Sequence, residues 1–164
     1  MPTQTTPVHS RSGAEAIAFL GEVCAIRLTS EQTDGAVAVL EHLLPHGMAT
    51  PLHVQAREDE LFYVLEGQIT VWMDGERTEA TAGDVVWLPR GRAHAFRVDS
   101  ERARLLGLSV PGGHEKFFRL AGEPASEFDL AAVATVPPDM ERMAAAAVAA
   151  DVEILGPPPF ENDV

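Results

Sequence analysis

His53, Gln55, Glu60 and His94 are the residues of this chain whose types and spacing could do chemistry. His53 and Gln55 stand two apart in the extended segment PLHVQ, so their side chains share one face. Glu60 follows the polar tip AREDE, where a returning strand begins, and His94 arrives two hairpins later. Imidazole nitrogens and a carboxylate oxygen are the donors that hold divalent iron, manganese, nickel, cobalt or zinc. Two His and one carboxylate with open positions form the donor set of oxygen-activating iron sites. A glutamine carbonyl can also bind a metal, but it is a harder and weaker donor than imidazole. Spacing alone leaves a bland alternative open: His53 and His94 as satisfied core histidines, and Glu60 as one more hairpin charge beside Glu58 and Asp59.

The elements that must position these residues read as short strands. Ala14–Leu20 and Glu22–Leu28 form a pair broken near Gly21, and Ala36–Leu44 (AVAVLEHLL) follows a turn at TSEQTDG. Leu52–Gln55, Leu61–Glu66, Gln68–Met73, Glu76–Ala80, Val85–Leu88, Ala93–Val98 and Arg102–Val110 continue the series. Asp74-Gly75 is a two-residue hairpin signal, because both positions tolerate positive φ. Short strands at close spacing with turns between them predict an all-β sandwich or barrel. Past Pro111-Gly112-Gly113 the composition changes. Pro137–Ala150 (PPDMERMAAAAVAA) predicts a helix, with proline at its start, acids in its first turn and alanine in its body. The expected organisation is an arm over residues 1–13, a β-barrel over 14–112, and a C-terminal helical segment with a Pro-rich tail over 113–164.

Composition narrows the classes of function. The chain has 164 residues, 46% of them hydrophobic, enough for one domain with a real core. A formal net charge of −13 disfavours nucleic acid and anionic membrane surfaces as partners. A single cysteine, Cys24, allows no intrachain disulfide and reads as a small buried hydrophobe. The opening MPTQTTPVHSRSG is polar and no apolar run reaches membrane-span length, so the expected location is the cytoplasm.

Glycines and a proline sharpen the signal. Gly47-MATPL-His53-V-Gln55-ARED-Glu60-LFYVLE-Gly67 fits G-x5-H-x-H-x3,4-E-x6-G at all but one position. Gly83-DVVWL-Pro89-R-Gly91-RA-His94 fits G-x5-P-x-G-x2-H, with Val98 where Asn often stands. These are the two motifs of the cupins. Together with the PGG linker, EKFFRL and EILGPPP, the chain resembles the small single-domain bacterial cupins similar to quercetin 2,3-dioxygenase. The resemblance covers about Ala36–Val110. It implies a cupin jelly-roll β-barrel, a homodimer, a divalent metal held by the motif residues and a small-molecule substrate. It also implies that Glu60 contacts the substrate and acts as its catalytic base.

The departure falls on a ligand, since Gln55 stands where the family has its second motif-one histidine. Three readings follow. His53, Glu60 and His94 keep the metal, with Gln55 as a weak ligand or a donor behind them. Or the metal is lost, and the pocket does acid–base chemistry or binding without one. Or another histidine substitutes, with His42 on the preceding strand as the candidate, while His46 and His114 read as surface or structural. Phe62, Tyr63, Trp72, Trp87 and Phe96 are strand aromatics, and those facing inward would line an apolar slot for a planar ligand. Phe62 and Tyr63 are adjacent, so one faces in and the other out. Three functions compete: a metal-dependent oxygenase acting on an aromatic or polyketide-like hydroxyketone, a non-oxidative cyclase, isomerase or decarboxylase using Glu60 and a histidine, and a small-molecule binder without turnover.

Overall fold

The computed structural model describes residues 15–133 and 137–161, so the arm expected over 1–13 lies outside the described residues. Among the described residues twelve strands and two α-helices follow one another, with two short 3-10 helices between them. They are β1 (Ala16–Phe19), β2 (Glu22–Leu28), β3 (Ala38–Pro45), β4 (Leu52–Gln55), β5 (Asp59–Glu66) and β6 (Gln68–Met73). Then come β7 (Glu76–Thr81), β8 (Val85–Leu88), β9 (His94–Val98), β10 (Arg102–Val110), α1 (Glu115–Ala121), β11 (Glu123–Pro124), α2 (Met140–Ala149) and β12 (Val152–Gly156). All pairings between these strands are antiparallel. One sheet has the order β11-β1-β2-β3-β10-β5-β8, the other β12-β4-β9-β6-β7. The fold is all-β, as the strand pattern predicts, and is the jelly roll that the cupin resemblance implies, built as two sheets rather than one hydrogen-bonded ring.

Alternation fixes which face each strand buries. In β5, Glu60, Phe62 and Val64 are buried while Tyr63 and Leu65 are exposed. Leu44, Val64 and Leu105 from the first sheet meet Ile69, Phe96 and Val98 from the second in one apolar cluster. Each such side chain contributes on the order of 1.5–3 kcal/mol by leaving water. The Asp74-Gly75 turn joins β6 to β7 with φ of 50° and 91°, as its sequence requires. Gly67 turns the chain from the first sheet to the second at φ 86°, and a Cβ there would lie 2.3 Å from the carbonyl oxygen of Arg102.

The C-terminal segment is more than a helical appendage with a tail. β11 extends the first sheet beside β1, and β12 extends the second beside β4. Between them α2 begins at Asp139, whose side chain accepts a hydrogen bond from the backbone N–H of Arg142. Met143, Ala146, Ala147 and Ala150 fall at i, i+3, i+4 and i+7, and this stripe is buried. It packs in a second apolar cluster with Ile17, Phe117, Phe118 and Val152. The segment thus ties both sheets together and closes one end of the space between them.

Candidate metal centre

β4 and β9 are neighbours in the second sheet, and His53 stands directly opposite His94 across them. Cross-strand partners project to the same face, and the two ring centroids are 4.4 Å apart. Each ring is fixed by its own turn. His53 Nδ1–H donates to the carbonyl of Pro51 at 2.8 Å, and His94 Nδ1–H donates to the carbonyl of Arg92 at 3.0 Å. This arrangement leaves Nε2 of both rings as the lone-pair donor, which is how metal-binding histidines are held. Glu60 comes from β5 in the other sheet, and its Oε2 stands 3.6 Å from His94 Nε2.

His53, Glu60 and His94 each offer a ligand atom, and the three atoms all lie within 4.8 Å of one another. Bonds of about 2.0–2.2 Å to a divalent ion would draw such atoms slightly closer. The donor set is imidazole, imidazole and carboxylate, and His94 Nε2 is buried with no hydrogen-bond partner. A buried nitrogen left in this way costs about 1–3 kcal/mol unless something accepts its lone pair. On these grounds the residues fit a divalent metal.

The electrostatics agree. Burial, and then repulsion from His94, lowers the His53 pKa to about 4, so at neutral pH this ring is an uncharged donor. Burial pushes the Glu60 carboxyl up, but the polar edge of the His94 ring 3.6 Å away and the fields of His114, His94 and His53 outweigh it and hold the group at about 2. Glu60 is therefore a carboxylate at any working pH. Burial lowers His94, yet Glu60 more than compensates and raises it.

Gln55 is fully buried beside these three but turned aside. Its Nε2 lies 3.0 and 3.1 Å from the two ring nitrogens of His114, and its Oε1 has no partner. His114 reaches the centre from the segment after β10, with its Nε2 4.0 Å from Glu60 Oε1. The residue is 8% exposed and its ring stacks on Phe117, which overturns the surface reading and leaves the structural one. Only the β10–β5 ladder foretells this. Ser109 pairs with Glu60, so a residue soon after the turn that ends β10 must return near Glu60. His42, the candidate substitute, is engaged elsewhere, against Glu22. His46 is on the exterior and bonds the carbonyl of Ser100.

A cavity of about 70 Å³ opens in front of His53, Glu60, His94 and His114, between walls that include Phe62, Phe96, Phe118 and Met143. Three of the aromatics expected to line the slot do not. Tyr63 and Trp87 are 40% and 51% exposed on the outer face of β5 and β8, and Trp72 is absent from the lining. Strand alternation explains the first two, because Tyr63 and Trp87 flank the inward Phe62 and Leu88.

Residues 39–111 match the family model described as a cupin domain. The two-sheet fold has the same form as solved cupins. The chain therefore carries a cupin domain. This cupin superposes on the structure of KdgF from Halomonas sp. with a TM-score of 0.60, at 17% identity over 67% of this chain and 98% of that one. It also superposes on a predicted oxalate decarboxylase from Thermotoga maritima with a TM-score of 0.56, at 22% identity over 65% of this chain and 99% of that one. Among curated proteins it is 37% identical over 125 residues to quercetin 2,3-dioxygenase of Bacillus subtilis. That match takes in 76% of this cupin but spans only 37% of the enzyme's length. No helix among the described residues is long and apolar enough to cross a membrane.

Proposed function

We propose that this cupin is a metal-dependent oxygenase that opens a small aromatic or polyketide-like hydroxyketone, as its similarity to quercetin 2,3-dioxygenase suggests. The observation that carries the reading is the meeting of His53, His94 and Glu60 at the wall of a largely apolar cavity. The two Nε2 atoms and the Glu60 carboxylate would hold the ion, leaving positions free for substrate oxygen and dioxygen. Such an ion, when bound, supplies Lewis acidity toward a hydroxyketone and a path for electrons to oxygen.

The chain's own residues then have distinct tasks. His53 and His94 are locked by the Pro51 and Arg92 carbonyls, so little reorganisation is needed to bind. Gln55 holds His114 against Glu60 rather than replacing the missing imidazole. Glu60, depressed to about 2, is a weak base, because a proton acceptor works best with a pKa near the operating pH. Its stronger role is as an anionic ligand that orients the substrate hydroxyl. The apolar walls exclude water from the reacting carbons.

The missing motif histidine favours a second reading: a non-oxidative enzyme with a weakened metal centre. One experiment separates the two. Purified protein is assayed for metal content, then for oxygen uptake with quercetin and with smaller hydroxyketones. One metal per chain with oxygen consumption supports the oxygenase. Metal-free protein that takes up no oxygen overturns it.

A further inference from the structure

A second polar pair faces the same cavity. Glu22 on β2 and His42 on β3 are 2% and 5% exposed, and both line the space shared with the metal centre. His42 Nδ1 lies 3.3 Å from each carboxylate oxygen of Glu22, so its N–H donates between the two. Both described hydrogen bonds of the ring run through Nδ1. Phe62 and Phe118 meet the ring edge-on. The pair is therefore a polar island on an apolar wall.

It is also separate from the metal residues. In the sheet order β2-β3-β10-β5, two strand steps separate His42 from Glu60. His42 pairs with Leu105 of β10, whereas Glu60 pairs with Ser109. At about 4.8 Å per strand and 3.3 Å per residue, the two backbones are on the order of 15 Å apart. The side chains converge from there, since both line the one cavity.

Stability does not account for the pair. The β2–β3 ladder already fixes its register through Val23↔Leu43, Cys24↔His42 and Ala25↔Glu41. Two buried charges commonly hold a fold no better than apolar side chains of the same volume. Room has also been left for the ring. Gly107 sits in the middle of β10, and a Cβ there would come 3.1 Å from His42 Nε2. Glycine inside a strand weakens it and marks a place of close approach.

We propose that Glu22 and His42 form a second polar subsite of the cavity, which takes a hydroxyl or carbonyl oxygen at the end of the ligand remote from its metal-chelating group. The subsite rests on reading the cavity as the site of a metal-bound hydroxyketone. His42 Nε2 accepts from a ligand hydroxyl, or donates to a ligand oxygen once the ring is protonated. Glu22 anchors the ring and balances its charge. The ligand class is therefore a hydroxyketone with a further oxygen at its distal end, not a simple chelator.

The test compares two flavonols that share one chelating group. Quercetin carries peripheral hydroxyls that 3-hydroxyflavone lacks. Both are titrated without oxygen into protein loaded with Ni²⁺. The wild type binds quercetin about tenfold more tightly, as one hydrogen bond to a charged group implies. In His42→Gln that preference collapses, while metal content and affinity for 3-hydroxyflavone stay within about twofold of wild type. Should His42→Gln fail to fold with Glu22 left unpaired, Glu22→Gln serves. It keeps an oxygen acceptor for Nδ1–H, removes the charge, and also reduces the preference. A preference that survives in the folded variant, or that the wild type lacks while binding 3-hydroxyflavone, overturns the subsite alone. If the loaded wild type binds neither flavonol, the metal-bound hydroxyketone reading fails and takes the subsite with it.

Discussion

Two regions enclose the cavity, and they are built on different logic. The motif wall sets His53 opposite His94 by the register of β4 and β9, and brings Glu60 to them from β5 of the facing sheet. The closing segment, α1 through β12, brings His114, Phe117, Phe118, Met143, Val152 and Ile154 to the same space from far along the chain. The wall supplies the donors, and the segment supplies burial and the imidazole beside Glu60. Two of the three donors are set by one pair of strands and the third by the packing of the sheets, whereas the dielectric that gives them force is contributed by the closing segment.

The strongest challenge to this contrast is removal of a wall donor. His53→Ala, Glu60→Ala or His94→Ala should each abolish stoichiometric metal binding, a loss on the order of a hundredfold or more in affinity. Elemental analysis after dialysis reads it, and full occupancy in any of the three would move the centre elsewhere. Phe118→Ala tests the other region. It should cost about 3–5 kcal/mol of folding stability, seen as a lower denaturant midpoint. Metal stoichiometry should survive, and if the metal is lost as well, the two regions are not separable.

Proton competition sharpens the comparison next. His53 is held at about 4 in the folded protein against an ordinary value of 6.5. A depressed folded pKa gives stability that is fully present above 6.5 and is lost as pH falls through about 4. Metal-stripped protein should thus weaken by roughly 3 kcal/mol across that window, and the loss should shrink in His53→Phe. Glu60, at about 2, adds a further loss below its ordinary value of 4.5. His94 is raised, so its contribution has the opposite sign and fades as pH rises above the neutral range. A denaturant midpoint that stays flat from pH 7 to pH 4 would contradict the buried neutral His53.

Smaller effects close the series. Asp139→Ala removes the side-chain acceptor at the start of α2. It should lower the melting temperature by an amount matching about 1 kcal/mol, with metal affinity unchanged. Trp87→Ala, on the outer face of β8, should alter neither metal content nor ligand affinity. Weakened ligand binding in that variant would mean the aromatic slot extends outside the cavity.

Most of the wall was legible in the chain itself. Leu52–Gln55, Gln68–Met73, Val85–Leu88 and Arg102–Val110 are strands with the bounds their sequences suggest. β5 starts two residues earlier than its apolar run, because Asp59 and Glu60 already pair with β10. The inward Phe62 and outward Tyr63 also follow from alternation. The helix expected over Pro137–Ala150 forms as Met140–Ala149, with Asp139 capping it instead of the prolines opening it.

Residue types, a period of two and glycines at forced turns determined the strands and the three donors, because those signals act between near neighbours along one strand or turn. Tertiary structure alone decided that Gln55 meets His114 across 59 positions, that His42 meets Glu22 across 20, and that β11 and β12 join opposite sheets. A strand's alternation states which face it buries and says nothing about which strand will lie beside it. That choice is made by long-range burial, and in this protein it made the cavity.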